Sequence, residues 1–136
     1  MKLHVLLAED NQGDVFLVRE ALRAHGVEYE MHVATDGSDV EGYLTLAGKN
    51  TPSAPWPDVF LLDLNLPKSD GYDILNGFRS HPECAKVPVI IISSSDAPKD
   101  RRRAELLGAT TYFRKPSDLM EFLLLGELVK QVVGAR

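Results

Sequence analysis

Five short strand-like runs alternate with stretches of helical spacing, and that alternation limits what this chain can fold into more than any single residue does. Leu3 to Ala8, Tyr29 to Ala34, Val59 to Leu62, Val89 to Ile92 and Thr111 to Arg114 read as strands. Val15, Val18, Ala21, Leu22 and His25 recur at the spacing that gives a helix one apolar face, and Ile74, Leu75 and Phe78 do the same after the third strand. Strands alternating with helices imply βαβ units, hence a parallel sheet covered on both faces. Right-handed crossovers then leave few topologies. The third run is continuously apolar between Pro57 and Pro67, which suits a strand buried on both sides. A length of 136 residues supports one core, read here as a single domain over 1–136.

Local signals set the expected boundaries. Asp14 is a plausible N-cap of the first helix and Gly26 its terminating residue. Ser38 with Glu41 reads as a capping box opening a second helix through about Leu46. Tyr72 to Ser80 carries a third helix, and Pro98 and Gly108 bracket a fourth. A last helix is expected from Ser117 to about Val133. The proline-rich stretch 48–57, with Trp56, reads as an ordered surface connection.

Charge and composition exclude several classes. A net charge of −5, with Arg101 to Arg103 as the longest basic run, argues against nucleic acid as the main partner. That run reads as a solvated helix face. No stretch approaches the roughly 20 apolar residues that span a bilayer, and the N-terminus lacks a signal peptide's apolar core. One cysteine, Cys84, excludes an internal disulfide, fits a reducing cytoplasm and is expected to be an inert loop residue. The four His show no metal-ligand spacing with it.

The chemistry gathers at the carboxyl ends of the strands, where open α/β sheets place their ligands. Strand one ends in Glu9-Asp10, strand three in Asp63, strand four in Ser93 and strand five in Lys115. Parallel strands bring these ends to one rim. Two carboxylates ~5 Å apart repel by roughly 3 kcal/mol at an effective dielectric of ~20. A divalent cation relieves that repulsion, and an all-oxygen donor set points to Mg2+. An Asp beside Mg2+, a hydroxyl and an ammonium suit phosphoryl transfer, with Asp63 as the nucleophile. Lys115 would then neutralise charge on the moving phosphoryl group, and Ser93 would hydrogen-bond to it.

Glu9-Asp10, Asp63 within Leu-Leu-Asp-Leu-Asn-Leu-Pro, Ser93, Tyr112 and Lys115-Pro116 resemble, in order and over essentially the whole chain, the receiver domain of two-component response regulators. The resemblance implies a flavodoxin-like (βα)5 fold with strand order 2-1-3-4-5. It implies phosphate transfer to Asp63 from a histidine kinase, and Mg2+ held by Glu9, Asp10, Asp63 and the backbone carbonyl of Asn65. It also implies a cis Lys115–Pro116 bond and a coupled Ser93–Tyr112 switch, in which the Tyr112 ring follows Ser93 as phosphate binds. Glu9 stands where Asp is commoner and Ser93 where Thr is commoner; both keep the functional group. The Glu-Asp-Asn-x-Gly-Asp-Val motif after strand one and the long connection before strand three are most similar to single-domain regulators paired with bacterial phytochrome kinases.

The last helix carries a further signal. Leu119, Phe122, Leu123, Val129 and Val133 form a stripe that can face the sheet, while Leu124, Leu125, Leu128 and Val132 form a second one on roughly the opposite side. A second apolar face suggests a homodimer. Only this helix follows Lys115-Pro116, so the output is expected to be a protein contact whose strength depends on phosphorylation.

Two other classes compete. A haloacid-dehalogenase-type phosphatase also uses an Asp nucleophile, a hydroxyl, a Lys and Mg2+. It needs a second Asp two residues after the nucleophile, where this chain has Asn65, and its motifs run in the reverse order. A receiver-like binding module that is never phosphorylated is the third reading, and the intact acceptor set argues against it.

Overall fold

In the computed structural model, which describes residues 2–134, every position of Val59–Asp63 (β3) and Val89–Ser93 (β4) is buried. Alternate side chains of these strands enter different cores. Phe60, Leu62, Val89 and Ile91 point to one side, and Val59, Leu61, Ile90 and Ile92 to the other. Strands with apolar demand on both faces belong in a sheet's interior. Leu3–Ala8 (β1), Tyr29–Ala34 (β2) and Thr111–Arg114 (β5) complete the sheet in the order β2-β1-β3-β4-β5. All neighbouring pairs are parallel, as the alternation predicts, and the order is the doubly wound one that the family resemblance implies. The expected span of 1–136 includes Met1, Ala135 and Arg136, which lie outside the described residues.

Helices cover both faces. Gln12–Ala24 (α1), Leu119–Phe122 (α5) and Leu124–Gly134 (α6) share one core through Val18, Ala21, Leu22, Phe122, Leu125 and Val129. Gly37–Gly48 (α2), Gly71–Ser80 (α3) and Pro98–Leu106 (α4) cover the other face, where the Phe60 and Phe78 rings meet at 4.4 Å. The 48–57 connection is held down: Tyr43 donates to the Pro55 carbonyl at 2.6 Å, and Ala54 and Trp56 pack on the core. No helix among the described residues is long and apolar enough to cross a membrane.

Several local expectations are corrected. Asn11, not Asp14, caps α1; its side-chain oxygen accepts from the Asp14 N–H at 2.9 Å. Both residue types cap well, but the Asp14 carboxylate is engaged elsewhere. Asp36 caps α2 through the Asp39 N–H at 2.8 Å, so Ser38 already lies inside the helix and no Ser38–Glu41 box opens it. Helix α2 also runs on to Gly48, past the expected Leu46. Cys84 is not in an open loop but buried in a 3-10 turn, Pro82–Cys84; burial, reinforced by Glu83, pushes its thiol up to about 12. Among the described residues every peptide bond is trans, including Lys115–Pro116. The two isomers before proline differ by only ~0.5–1 kcal/mol, and Lys115 reaches its partners with the trans bond.

The last helix is two helices. At their junction the Gly126 N–H bonds to the Leu123 carbonyl, three residues back at 3.1 Å, a tightened turn. Helix α6 lies so close to α1 that a Cβ on Gly126 would collide with the Ala21 carbonyl. The buried line is therefore Phe122, Leu125, Gly126 and Val129. Leu125 belongs to the core rather than to an outer stripe, whereas Leu119, expected inside, is 54% exposed. Leu124 does point outward, at 58% exposed, while Leu128 and Val132 are half-buried at the core margin.

Candidate functional site

Sheet register brings the strand ends together. Ala8 pairs with Leu62, so Glu9 and Asp63 leave adjacent parallel strands at the same level. This is where the strand order reverses, and it is there that doubly wound sheets leave a crevice. Asp63 pairs with Ile92 and Ser93 with Arg114, and the Lys115 N–H bonds to the Ser93 carbonyl at 2.7 Å. Glu9, Asp63 and Ser93 are the buried polar or charged residues among those described. Burying such groups costs stability unless each is satisfied, so their presence on one rim sets it apart from the apolar interior.

The Lys115 ammonium supplies most of that compensation. Its Nζ donates to Glu9 Oε1 at 2.9 Å, to Asp14 Oδ2 at 2.7 Å and to Asp63 Oδ2 at 3.0 Å. Burial alone would lower the lysine's pKa; the bonds to Asp14, Glu9 and Asp63 outweigh it and hold the ammonium above its ordinary range. The remaining oxygens are met by backbone. Glu9 Oε2 accepts from the Asn11 N–H at 3.2 Å and Asp63 Oδ1 from the Asn65 N–H at 2.9 Å.

Glu9, Asp10 and Asp63 each present a carboxylate oxygen within 4.8 Å of the others, with Asp10 exposed at the mouth. An all-oxygen, acidic donor set fits a hard divalent cation. The crowding leaves a mark: burial, followed by the hydrogen bond shared with Asp63, pushes the Glu9 carboxyl up from 4.5 to about 7. Proximity to Lys115 opposes that rise without cancelling it. A bound cation relieves the same crowding, so the residues present fit one.

On the β4–β5 side the geometry changes. Ser93 Oγ accepts from the Ser95 N–H at 3.1 Å, and Ser95 Oγ donates to Asp100 at 2.7 Å. Tyr112, half-buried on β5, donates its hydroxyl to the Ser95 carbonyl at 3.0 Å. Tyr72 on α3 donates to Asp100 at 3.1 Å, and burial, then that bond, pushes its phenol up to about 12. The basic run is more than a solvated face: Arg101 lies 4.5 Å over the Tyr112 ring and Arg103 4.0 Å over Tyr72.

The structure thus gathers Glu9, Asp10, Asp63 and Lys115 at one point. Ser93 ends the neighbouring strand, and Tyr112 joins it through Ser95. Two contacts escaped the sequence reading. The Asp14–Lys115 contact joins positions 101 apart, and nothing local to Asp14 signals it. The Tyr72–Asp100 bond spans 28 positions between different helices, and no local pattern announces it.

Residues 5–125 match the family model of the response regulator receiver domain. Response regulator Rcp1 of Synechocystis sp. is 32% identical over 117 residues, which cover 86% of this chain and 79% of Rcp1. Among solved structures, the phosphorylated cyanobacterial phytochrome response regulator RcpA is similar with a TM-score of 0.84 at 31% identity, over 96% of this chain and 93% of that one. The Mn2+-bound form of Rcp1 is similar with a TM-score of 0.81 at 28% identity, over 95% of this chain and 92% of that one.

Proposed function

Because the chain belongs to the response regulator receiver domain family, we propose that it signals by accepting a phosphoryl group on Asp63 from a histidine kinase. The observation that carries this assignment is the buried Asp63 carboxylate, which meets the Lys115 ammonium at 3.0 Å within a cluster of acids. An Asp63 oxygen attacks the phosphorus of a phosphohistidine, a new O–P bond forms as the N–P bond breaks, and the imidazole leaves as the donor's own side chain. Lys115 offsets charge gathering on the phosphoryl oxygens, and Ser93 hydrogen-bonds to one of them. Glu9, Asp10, Asp63 and the Asn65 carbonyl would hold Mg2+, which when bound supplies positive charge against the acids and the incoming phosphate. Ser93 and Tyr112 carry the change outward through Ser95 to α4.

The relatives Rcp1 and RcpA, the latter described as a phytochrome response regulator, support a phytochrome-type histidine kinase as donor and a cytoplasmic phosphorelay as setting. The role is that of a signalling phosphoacceptor rather than an enzyme with turnover. The haloacid-dehalogenase reading is not favoured, given the family match and Asn65 where that chemistry needs an acid. A homodimer through the last helices now rests on Leu124 with half-buried Leu128 and Val132, without Leu125. Leu124→Glu and Leu128→Glu should each lower dimer content in sedimentation, and an unchanged oligomeric state would rule that face out.

The acceptor assignment is tested by incubating the protein with Mg2+ and a small acyl phosphate. One base-labile phosphate per chain is expected, lost in Asp63→Asn and in EDTA. Steady release of inorganic phosphate from a phosphomonoester, with no adduct, would favour hydrolysis instead.

A further inference from the structure

The sequence motif Glu-Asp-Asn-x-Gly-Asp-Val contains one acid for which the acceptor reading has no use, Asp14. Its carboxylate makes the shortest of the three contacts to the Lys115 ammonium, 2.7 Å against 2.9 and 3.0 Å. An ammonium has three N–H donors, so Glu9, Asp14 and Asp63 use them all. Two of those acceptors, Glu9 and Asp63, also belong to the acid set within metal-binding range, and Asp14 does not. A cation drawing on Glu9 and Asp63 competes with Lys115 for those carboxylates. Among the described residues, Asp14 is then the Lys115 partner outside that acid set, left to fix a point charge on a flexible four-carbon stem.

The motif holds Asp14 in place. Asn11 caps α1 by accepting from the Asp14 N–H at 2.9 Å, which fixes the first turn. A Cβ on Gly13 would lie only 3.1 Å from that Asn11 oxygen, so glycine leaves the cap room. Asp14 therefore projects from a capped helix start toward a lysine more than a hundred positions away in sequence.

We propose that Asp14 is a positioning residue for phosphoryl transfer: it anchors Lys115 beside Asp63 while the other two acids are committed to the cation. The inference rests on Asp63 being the acceptor. It is tested with an acyl phosphate at saturating Mg2+, comparing wild type, Asp14→Asn, Asp14→Glu, Lys115→Met and the Asp14→Asn/Lys115→Met double variant. It is tested also by the side-chain 15N NMR signal of Lys115 with and without Mg2+, which should stay ordered in wild type and be lost in Asp14→Asn, an unchanged signal overturning the proposal. Asp14→Asn should slow phosphorylation about tenfold, since misplacing a reacting group by an ångström is costly. Asp14→Glu, which keeps the charge, should recover most of the rate. The double variant should be no slower than Lys115→Met alone, because Asp14 acts through that lysine. A rate for Asp14→Asn within twofold of wild type overturns the proposal, and so does an additive loss in the double variant. Wild type that takes up no phosphate would overturn the acceptor reading itself, a result separable from either.

Discussion

Two adjoining stretches of the same rim are built on opposite terms. Where β1 meets β3, buried acids surround a single ammonium and each oxygen has a fixed partner. Where β4 meets β5, half-exposed hydroxyls pass hydrogen bonds along Ser95, Asp100, Tyr72 and Tyr112, with arginines laid over the rings. The first arrangement is preorganised, as a charge-transfer reaction requires. The second is made of side-chain contacts worth about 1–3 kcal/mol each, partly exposed and able to be exchanged for others. Under the proposed function, chemistry and transmission would occupy neighbouring strands, with Ser93 at their border.

The contrast breaks most sharply at Lys115. Lys115→Met should reduce phosphorylation by an acyl phosphate ~10²–10³-fold, the usual cost of removing a charge-stabilising donor, as followed by phosphoprotein gel or mass spectrometry. Next in size is a pH effect confined to the acid cluster. The folded protein holds the Glu9 proton up to about 7, against 4.5 as its ordinary value. The folded state therefore binds more protons between those limits. That contribution is fully present below about 4.5 and is lost as pH rises through about 7, a difference of about 3 kcal/mol. Urea melts of the metal-free protein from pH 5.5 to 8 should lose stability along that range. Saturating Mg2+ should flatten the slope by favouring ionised Glu9.

Smaller effects are expected across the border. Tyr72→Phe and Tyr112→Phe each remove one hydroxyl contact, to Asp100 and to the Ser95 carbonyl. Tyr112→Phe should cost about 1 kcal/mol and Tyr72→Phe, whose acceptor is a carboxylate, about 1.5–3 kcal/mol in a denaturant melt, and both should leave the phosphorylation rate within about twofold of wild type. A tenfold loss of rate in either variant would show that the two regions are not separate in kind.

Much of this contrast can be read in the linear sequence, and the parts that cannot have physical reasons. The strands were legible because buried parallel strands are short apolar runs, and their carboxyl ends named Glu9, Asp10, Asp63, Ser93 and Lys115 directly. Helix starts were less so. Asn11, Asp14, Asp36 and Ser38 are all good caps, and only the backbone decides among them. The break at Leu123, the close approach of α6 to α1 over Gly126 and the burial of Leu125 but not Leu119 are features of the tertiary packing, not of local spacing. Asp14 was visible as an acid in a motif, yet its partner lies at the far end of the chain. The Tyr72–Asp100 bond follows from the packing of α3 against α4.

The central claim is that Asp63, and no other acid of the crowded rim, takes the phosphate. Acyl phosphates are reduced by borohydride, which would convert phosphorylated aspartate to homoserine and mark the position permanently. Peptide mass mapping after Mg2+, acyl phosphate and borohydride should find homoserine at position 63 alone. Homoserine at position 10 or 14, or at none, would contradict the account.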